Sequence, residues 1–126
     1  MKEVMATVRM NMMNKTREAL SDVGLFSMTA KEVLGRGKGL VDTTLIEGAE
    51  KGYEEAIAQL GQSQRLIPKR LLILVVPDKL VDKAVKTIIK VNRTGKSGDG
   101  KIFVMPAIDS LSVRTGEGGE DVLDGS

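Results

Sequence analysis

Thr94-Gly95-Lys96-Ser97-Gly98-Asp99-Gly100-Lys101 runs without a break into the apolar stretch Ile102-Phe103-Val104-Met105. Three glycines and two lysines within eight residues predict a tight, cationic loop. Glycine reaches backbone angles that other residues avoid and lets N–H groups come close to a ligand. Successive amides in such turns form a nest for an anion, to which lysine adds full charge. Read literally, Gly95 to Lys101 satisfies Gly-x4-Gly-Lys, the opening of a phosphate-binding P-loop. Two features oppose that label. The next position is Ile102, which has no hydroxyl to offer Mg²⁺. The order of elements is also inverted, because a P-loop leads from strand to helix and here a helical pattern comes first. An anion nest and an ordinary glycine turn with solvated lysines both stay open, and the density of glycine and lysine favours the nest.

Outward from the loop, the pattern is that of a small α+β domain. Before it, Pro77-Asp78 opens a helix with Val81, Ala84, Val85, Ile88 and Val91 at helical spacing. Residues 70–76 form a strand that is apolar on both faces, and residues 101–105 form another. Nearer the start, residues 2–10 read as a strand. Asn14 is placed to cap a helix that carries Thr16, Ala19, Leu20 and Val23 on one face and ends at Gly24. Residues 27–34 give a further strand closed by Gly35, and residues 111–114 a short last one. Strand-helix-strand twice over is the double βαβ plan of a ferredoxin-like fold, with an antiparallel sheet and both helices on one of its faces. A sheet with one wet face should alternate. Leu71 to Val76 do not, so a second covering layer is required, and another subunit is the economical source.

One domain spanning residues 1–126 is expected, with a long loop over about 36–67 and a fraying, glycine-rich, acidic tail from about 116 to 126. The loop is too long for an ordinary connection. It opens on a second cationic turn, Arg36-Gly37-Lys38-Gly39, and contains a stretch, residues 50–60, in which Ala56, Ile57 and Leu60 share helical spacing.

Composition removes whole classes of function. The chain has no cysteine and no histidine, which excludes disulfides, Cys or His metal sites and His-dependent nucleophilic catalysis. A net charge of +2 and only three aromatic residues, Phe26, Tyr53 and Phe103, argue against nucleic acid as a partner. No signal peptide or membrane span is visible, so a cytoplasmic protein without stable membrane association is the expectation.

Arg93 to Val104 closely resembles the signature of the PII signal-transduction proteins. The likeness extends to Met28-Thr29, Glu32-Val33, Gly35-Arg36-Gly37, Leu45 to Glu50, Val75 to Asp78 and Val113 to Glu117. The resemblance implies a ferredoxin-like trimer that is a regulator and not an enzyme. It implies ATP or ADP in clefts between subunits, sensing of 2-oxoglutarate together with Mg²⁺ and ATP, and a long loop that docks onto targets in nitrogen metabolism. By position, it assigns nucleotide binding to Thr29, Gly35, Arg36, Gly37, Lys38, Leu74, Val75, Gly98, Asp99, Gly100, Lys101 and Arg114. It assigns 2-oxoglutarate to Gly37, Lys69 and Gly98, and target contact to Tyr53, Ala56, Ile57 and Leu60.

The departures from the family pattern matter as well. Gly39 and Leu40 stand where a glutamine helps hold Mg²⁺ and 2-oxoglutarate. Ser112 replaces the first arginine of an Arg-x-Arg pair, Ile73 replaces a carboxylate, and Lys51 replaces the tyrosine that some members modify. The enlarged loop and the Gly35 to Leu40 turn look most like the nitrogen-fixation branch, specifically the second of its paired regulators. That implies inhibition of nitrogenase by direct contact when fixed nitrogen is plentiful, with a homotrimer or a hetero-oligomer with a paralogue as the assembly. The alternatives are a general PII regulator of an ammonium channel or glutamine synthetase, and a nucleotide-hydrolysing enzyme.

Overall fold

The structure, a computed structural model, describes residues 1–37 and 66–124. In chain order its elements are β1 (Lys2–Arg9), α1 (Met13–Asp22), β2 (Thr29–Gly35), β3 (Ile67–Val76), α2 (Val81–Asn92) and β4 (Lys101–Pro106). The four strands form one antiparallel sheet in the order β2-β3-β1-β4. This is the ferredoxin-like double βαβ fold.

Alternation decides which face each strand gives to the helices. Val4, Ala6 and Val8 of β1 and Leu72, Leu74 and Val76 of β3 are buried against Leu20, Leu25, Ala84 and Ile88. The other face carries the alternate residues, and register lines them up in rows across all four strands. Thr29, Ile73, Met5 and Phe103 make one such row; Lys31, Leu71, Thr7 and Lys101 make the next. Phe103 is 53% exposed on this side, and no helix among the described residues covers it. The doubly apolar strand read from residues 71–76 is therefore real, with its second apolar set on the open face.

Several boundaries differ from the sequence reading. Asn14 does not cap α1. The chain rolls from β1 through a 3-10 turn at Met10–Met12 straight into the helix, and the Thr16 hydroxyl donates to the Met12 carbonyl at 2.7 Å. The other end behaves as expected: Gly24, at φ +89°, turns the chain so that the Leu25 N–H reaches the Leu20 carbonyl at 2.9 Å. β3 starts earlier, at Ile67, and includes Pro68. Pro68 pairs only with Leu34 of β2, because the β1 pairing begins at Lys69, so its missing N–H costs no central ladder bond.

The expected last strand over residues 111–114 does not form. Leu111 makes a single bridge to Gly118, and the chain turns through residues 113–115. Ser112 causes this. Its N–H donates to the Glu117 carbonyl, its carbonyl accepts from the Gly116 N–H, and its hydroxyl accepts from the Thr115 N–H, closing a local turn in place of a ladder. Nor does the tail fray at residue 116. Residues 116–124 are folded, with a 3-10 turn at Glu120–Val122 and the Asp124 carboxylate accepting the Ser27 N–H at 2.9 Å. The glycines here serve turns, Gly116 and Gly119 both having positive φ. The long loop's Lys38, Tyr53, Ala56, Ile57 and Leu60 lie outside the described residues, as does the short helix read over residues 50–60.

Candidate functional site

The glycine loop is held in shape by one carboxylate. Asp99 accepts the Thr94 N–H at 2.8 Å, the Gly95 N–H at 3.0 Å and the Thr94 hydroxyl at 2.5 Å. From β1, the Arg9 guanidinium adds a 2.6 Å contact to the same group and donates to the Ser97 carbonyl at 2.9 Å. The Thr94 hydroxyl and N–H, with Arg9 beside them, hold the Asp99 carboxyl well below the usual carboxylate range. Asp99 therefore shapes the loop from within, and its oxygens are already committed.

Glycine is required at two positions for different reasons. At Gly100, with φ +111°, an added Cβ would lie 1.8 Å from the Thr7 carbonyl oxygen, so β1 and the loop touch backbone to backbone. At Gly98, with φ +97°, an added Cβ would face the charged ends of Arg9, at 3.2 Å, and Lys69, at 3.6 Å.

Lys69 reaches the loop from β3, donating to the Gly98 carbonyl at 3.0 Å. Partial burial lowers its pKa below the ordinary lysine value and the charge of Arg9 lowers it further, with Asp99 acting the other way. An anion arriving beside Lys69 would relieve that repulsion.

Loop, β3 and the base of the long loop meet in one hollow of about 220 Å³. It is lined by Gly35, Arg36, Gly37, Lys69, Gly98, Gly100 and Lys101, together with Thr7 and Phe103. Seven residues singled out in the sequence thus come together although residues 38–65 separate Gly37 from Leu66. Thr7, Phe103 and Arg9 were missed. The signal for Thr7 and Phe103 lay in strand alternation: Thr7 pairs with Lys101, and Phe103 lies two residues further along β4 on the same face.

A second hollow, of about 260 Å³, lies on the open face between Ser27, Met28, Thr29, Ile73, Val75 and Leu123. It takes in Thr29 and Val75 but not the Leu74 side chain, which is buried in the core. Arg114 is exposed on the turn after Ser112 and lines neither hollow. The arrangement fits a polyanion: glycine backbone at close range, Arg36, Lys69 and Lys101 around it, and an exposed aromatic ring beside it. Its described residues offer no cluster of ligands for Mg²⁺. No group of three or more carboxylates gathers among the described residues, and Asp99 is spent on the loop.

Comparison with known proteins gives a consistent result. The family model described as nitrogen regulatory protein P-II matches residues 1–117. A "nitrogen fixation nifHD region GlnB-like protein 2" of Methanobacterium ivanovii is 46% identical over 127 residues, covering 98% of this chain and 99% of the relative. A protein of the same name from Methanothermobacter marburgensis is 42% identical over 125 residues, covering 98% of this chain and all of the relative (100%). Among solved structures, that of Arabidopsis thaliana PII bound to citrate superposes with a TM-score of 0.72 at 30% identity, covering 97% of this chain and 88% of that one.

Proposed function

The chain belongs to the nitrogen regulatory protein P-II family, and we propose that it is a regulatory subunit, not an enzyme, that binds ATP or ADP. In this reading it responds to 2-oxoglutarate and restrains nitrogenase by direct contact when fixed nitrogen is plentiful. The observation that carries the reading is the shared hollow: the base of the long loop, at Gly35 to Gly37, lines the same space as Gly98, Gly100, Lys101 and Lys69.

A polyanion seated there contacts the root of the loop directly. It can shift the loop's conformations to the extent that it binds them unequally. The phosphates sit on Gly98, Gly100 and Lys101, with Lys38 and a neighbouring subunit's Arg114 completing the charge. A dicarboxylate such as 2-oxoglutarate takes Lys69, Gly37 and Gly98. Mg²⁺ enters with the nucleotide, held by ligand oxygens. The citrate reported on the Arabidopsis protein, a carboxylate anion, is in keeping with this chemistry. The link to nitrogenase rests on the nitrogen-fixation relatives. The working compartment is the cytoplasm, and no helix among the described residues is long and apolar enough to cross a membrane.

The test is a reconstituted nitrogenase assay with this protein, alone and mixed with a paralogous P-II subunit. Repression is expected without 2-oxoglutarate and relief with 2-oxoglutarate plus Mg²⁺ and ATP. Deleting residues 53–62 should abolish repression and leave assembly intact. Full repression by the deletion variant would show that the loop is not the effector arm.

A further inference from the structure

The folded tail stands beside the hollow that holds Thr29 and Val75. Residues 110–119 are pinned first: the Ser110 hydroxyl donates to the Gly119 carbonyl at 2.6 Å, and the Gly119 N–H returns to the Ser110 carbonyl at 3.0 Å. The 3-10 turn at Glu120–Val122 then carries the chain back to the start of β2, where Asp124 accepts the Ser27 N–H at 2.9 Å. Between these two fastenings Leu123, half-buried, forms one wall of the hollow opposite Ile73 and Val75.

We propose that residues 120–124 are a strap that supplies one wall of the nucleotide-base site, with Leu123 as its apolar contact and the Asp124–Ser27 bond as its clasp. This rests on the nucleotide reading above. The hollow, about 260 Å³, is smaller than the ~300–1,000 Å³ of pockets that enclose a whole drug-sized ligand, as suits a single ring system. Its walls are apolar and hydroxyl-bearing, with no lysine or arginine among them. Glu120, Asp121 and Asp124 make the strap acidic. It repels phosphate and accepts an uncharged base, whereas the other hollow, with its arginine and lysines, does the reverse. The strap therefore contributes affinity for the base and orients the ligand between the two hollows, whichever subunit supplies the phosphate end.

Two ligands separate this wall from the phosphate site: ATP, and inorganic tripolyphosphate, which has no base. Leu123→Ser, Asp124→Ala and a chain ending at Glu117 should each weaken ATP binding about five- to tenfold in calorimetry, the scale of one apolar contact. Tripolyphosphate affinity should not change, and its retention shows that the variants are folded. Asp124→Asn, which keeps an acceptor for the Ser27 N–H, should restore most of the ATP affinity. Unchanged or tighter ATP binding in the three variants, or equal losses for both ligands, would overturn the strap. A wild-type protein that binds tripolyphosphate but neither ATP nor ADP, alone or with a paralogue, would instead remove the nucleotide reading and the strap with it.

Discussion

Arg9, the last residue of β1, and Asp99, inside the glycine loop, are 90 positions apart in sequence and 2.6 Å apart in space. The contact joins the loop to one of the two central strands of the sheet. It also brings Arg9 close enough to Lys69 to disfavour that lysine's charge. One ion pair thus sets both the shape of the loop and the electrostatics of its neighbour.

Removing the carboxylate should undo the loop before it undoes the fold. Asp99→Ala leaves the Thr94 and Gly95 amides and Arg9 without their shared acceptor, and tripolyphosphate affinity should fall about tenfold or more. The same carboxylate gives a pH prediction. Its folded pKa is depressed, so its contribution is complete above the ordinary carboxylate value of about 3.9 and is lost only as pH falls through the lower folded value. Amide exchange at Thr94 and Gly95, corrected for intrinsic rates, should show constant protection from pH 5 to 8. A loss of protection within that window would contradict the arrangement.

Two glycines with positive φ should respond very differently to alanine. Gly24→Ala meets nothing within 4 Å, so only the left-handed backbone is penalised, at roughly 1–2 kcal/mol. Gly100→Ala adds a collision with the Thr7 carbonyl oxygen to a similar backbone strain. It should cost about 3 kcal/mol or more, because β1 or the loop must move. Denaturant midpoints of the two variants would test the ranking, and equal midpoints would refute it.

The parts of this molecule that obey local rules were legible in its sequence. Helical spacing at Val81, Ala84, Val85 and Ile88 and the glycine density of residues 94–101 gave α2 and the loop directly. The doubly apolar run at residues 71–76 announced the open face. Pairwise long-range contacts were not legible. Nothing near Arg9 points to Asp99, and nothing near Thr16 points to Asn92, whose amide donates to the Thr16 hydroxyl at 3.0 Å between the two helices. In the sequence Ser112 shows only as the replacement of an arginine. Its hydroxyl joins the turn on which Arg114 stands, beside backbone bonds that no periodicity records.

Lys69 should make anion binding sensitive to alkaline pH. Its lowered pKa means that it loses its proton earlier than an ordinary lysine. Between the folded value and the ordinary lysine value of 10.5 the unfolded chain binds more protons, so the ligand-free protein gains stability with rising pH in that window. An anion reverses the preference by favouring the charged form. Affinity for 2-oxoglutarate, measured with ATP and Mg²⁺ present, should therefore decline as pH rises through the folded pKa of Lys69, with proton uptake on binding seen in buffers of different ionisation enthalpy. Lys69→Arg keeps the charge throughout and should flatten this decline. A wild type and variant with the same alkaline profile would show that Lys69 does not meet the anion.

The open face predicts the assembly. Met5, Leu71, Ile73, Val75, Phe103 and Met105 share the side of the sheet that carries no helix among the described residues, and register places Ile73, Met5 and Phe103 in one continuous row. Burying such a surface at about 25 cal/mol per Å² offers several kcal/mol per subunit against the cost of association. A monomer would have to leave it wet. Light scattering at micromolar concentration should give a trimer or a multiple of it, from this chain alone or with a paralogue. Phe103→Lys puts a charge into the row in place of its exposed ring. If the face is an interface, the variant loses the assembly, because the lysine must either be desolvated or hold the subunits apart. If the face is merely exposed, the same lysine sits in water at little cost. A Phe103→Lys protein that assembles as the wild type does would therefore place the subunit contact elsewhere.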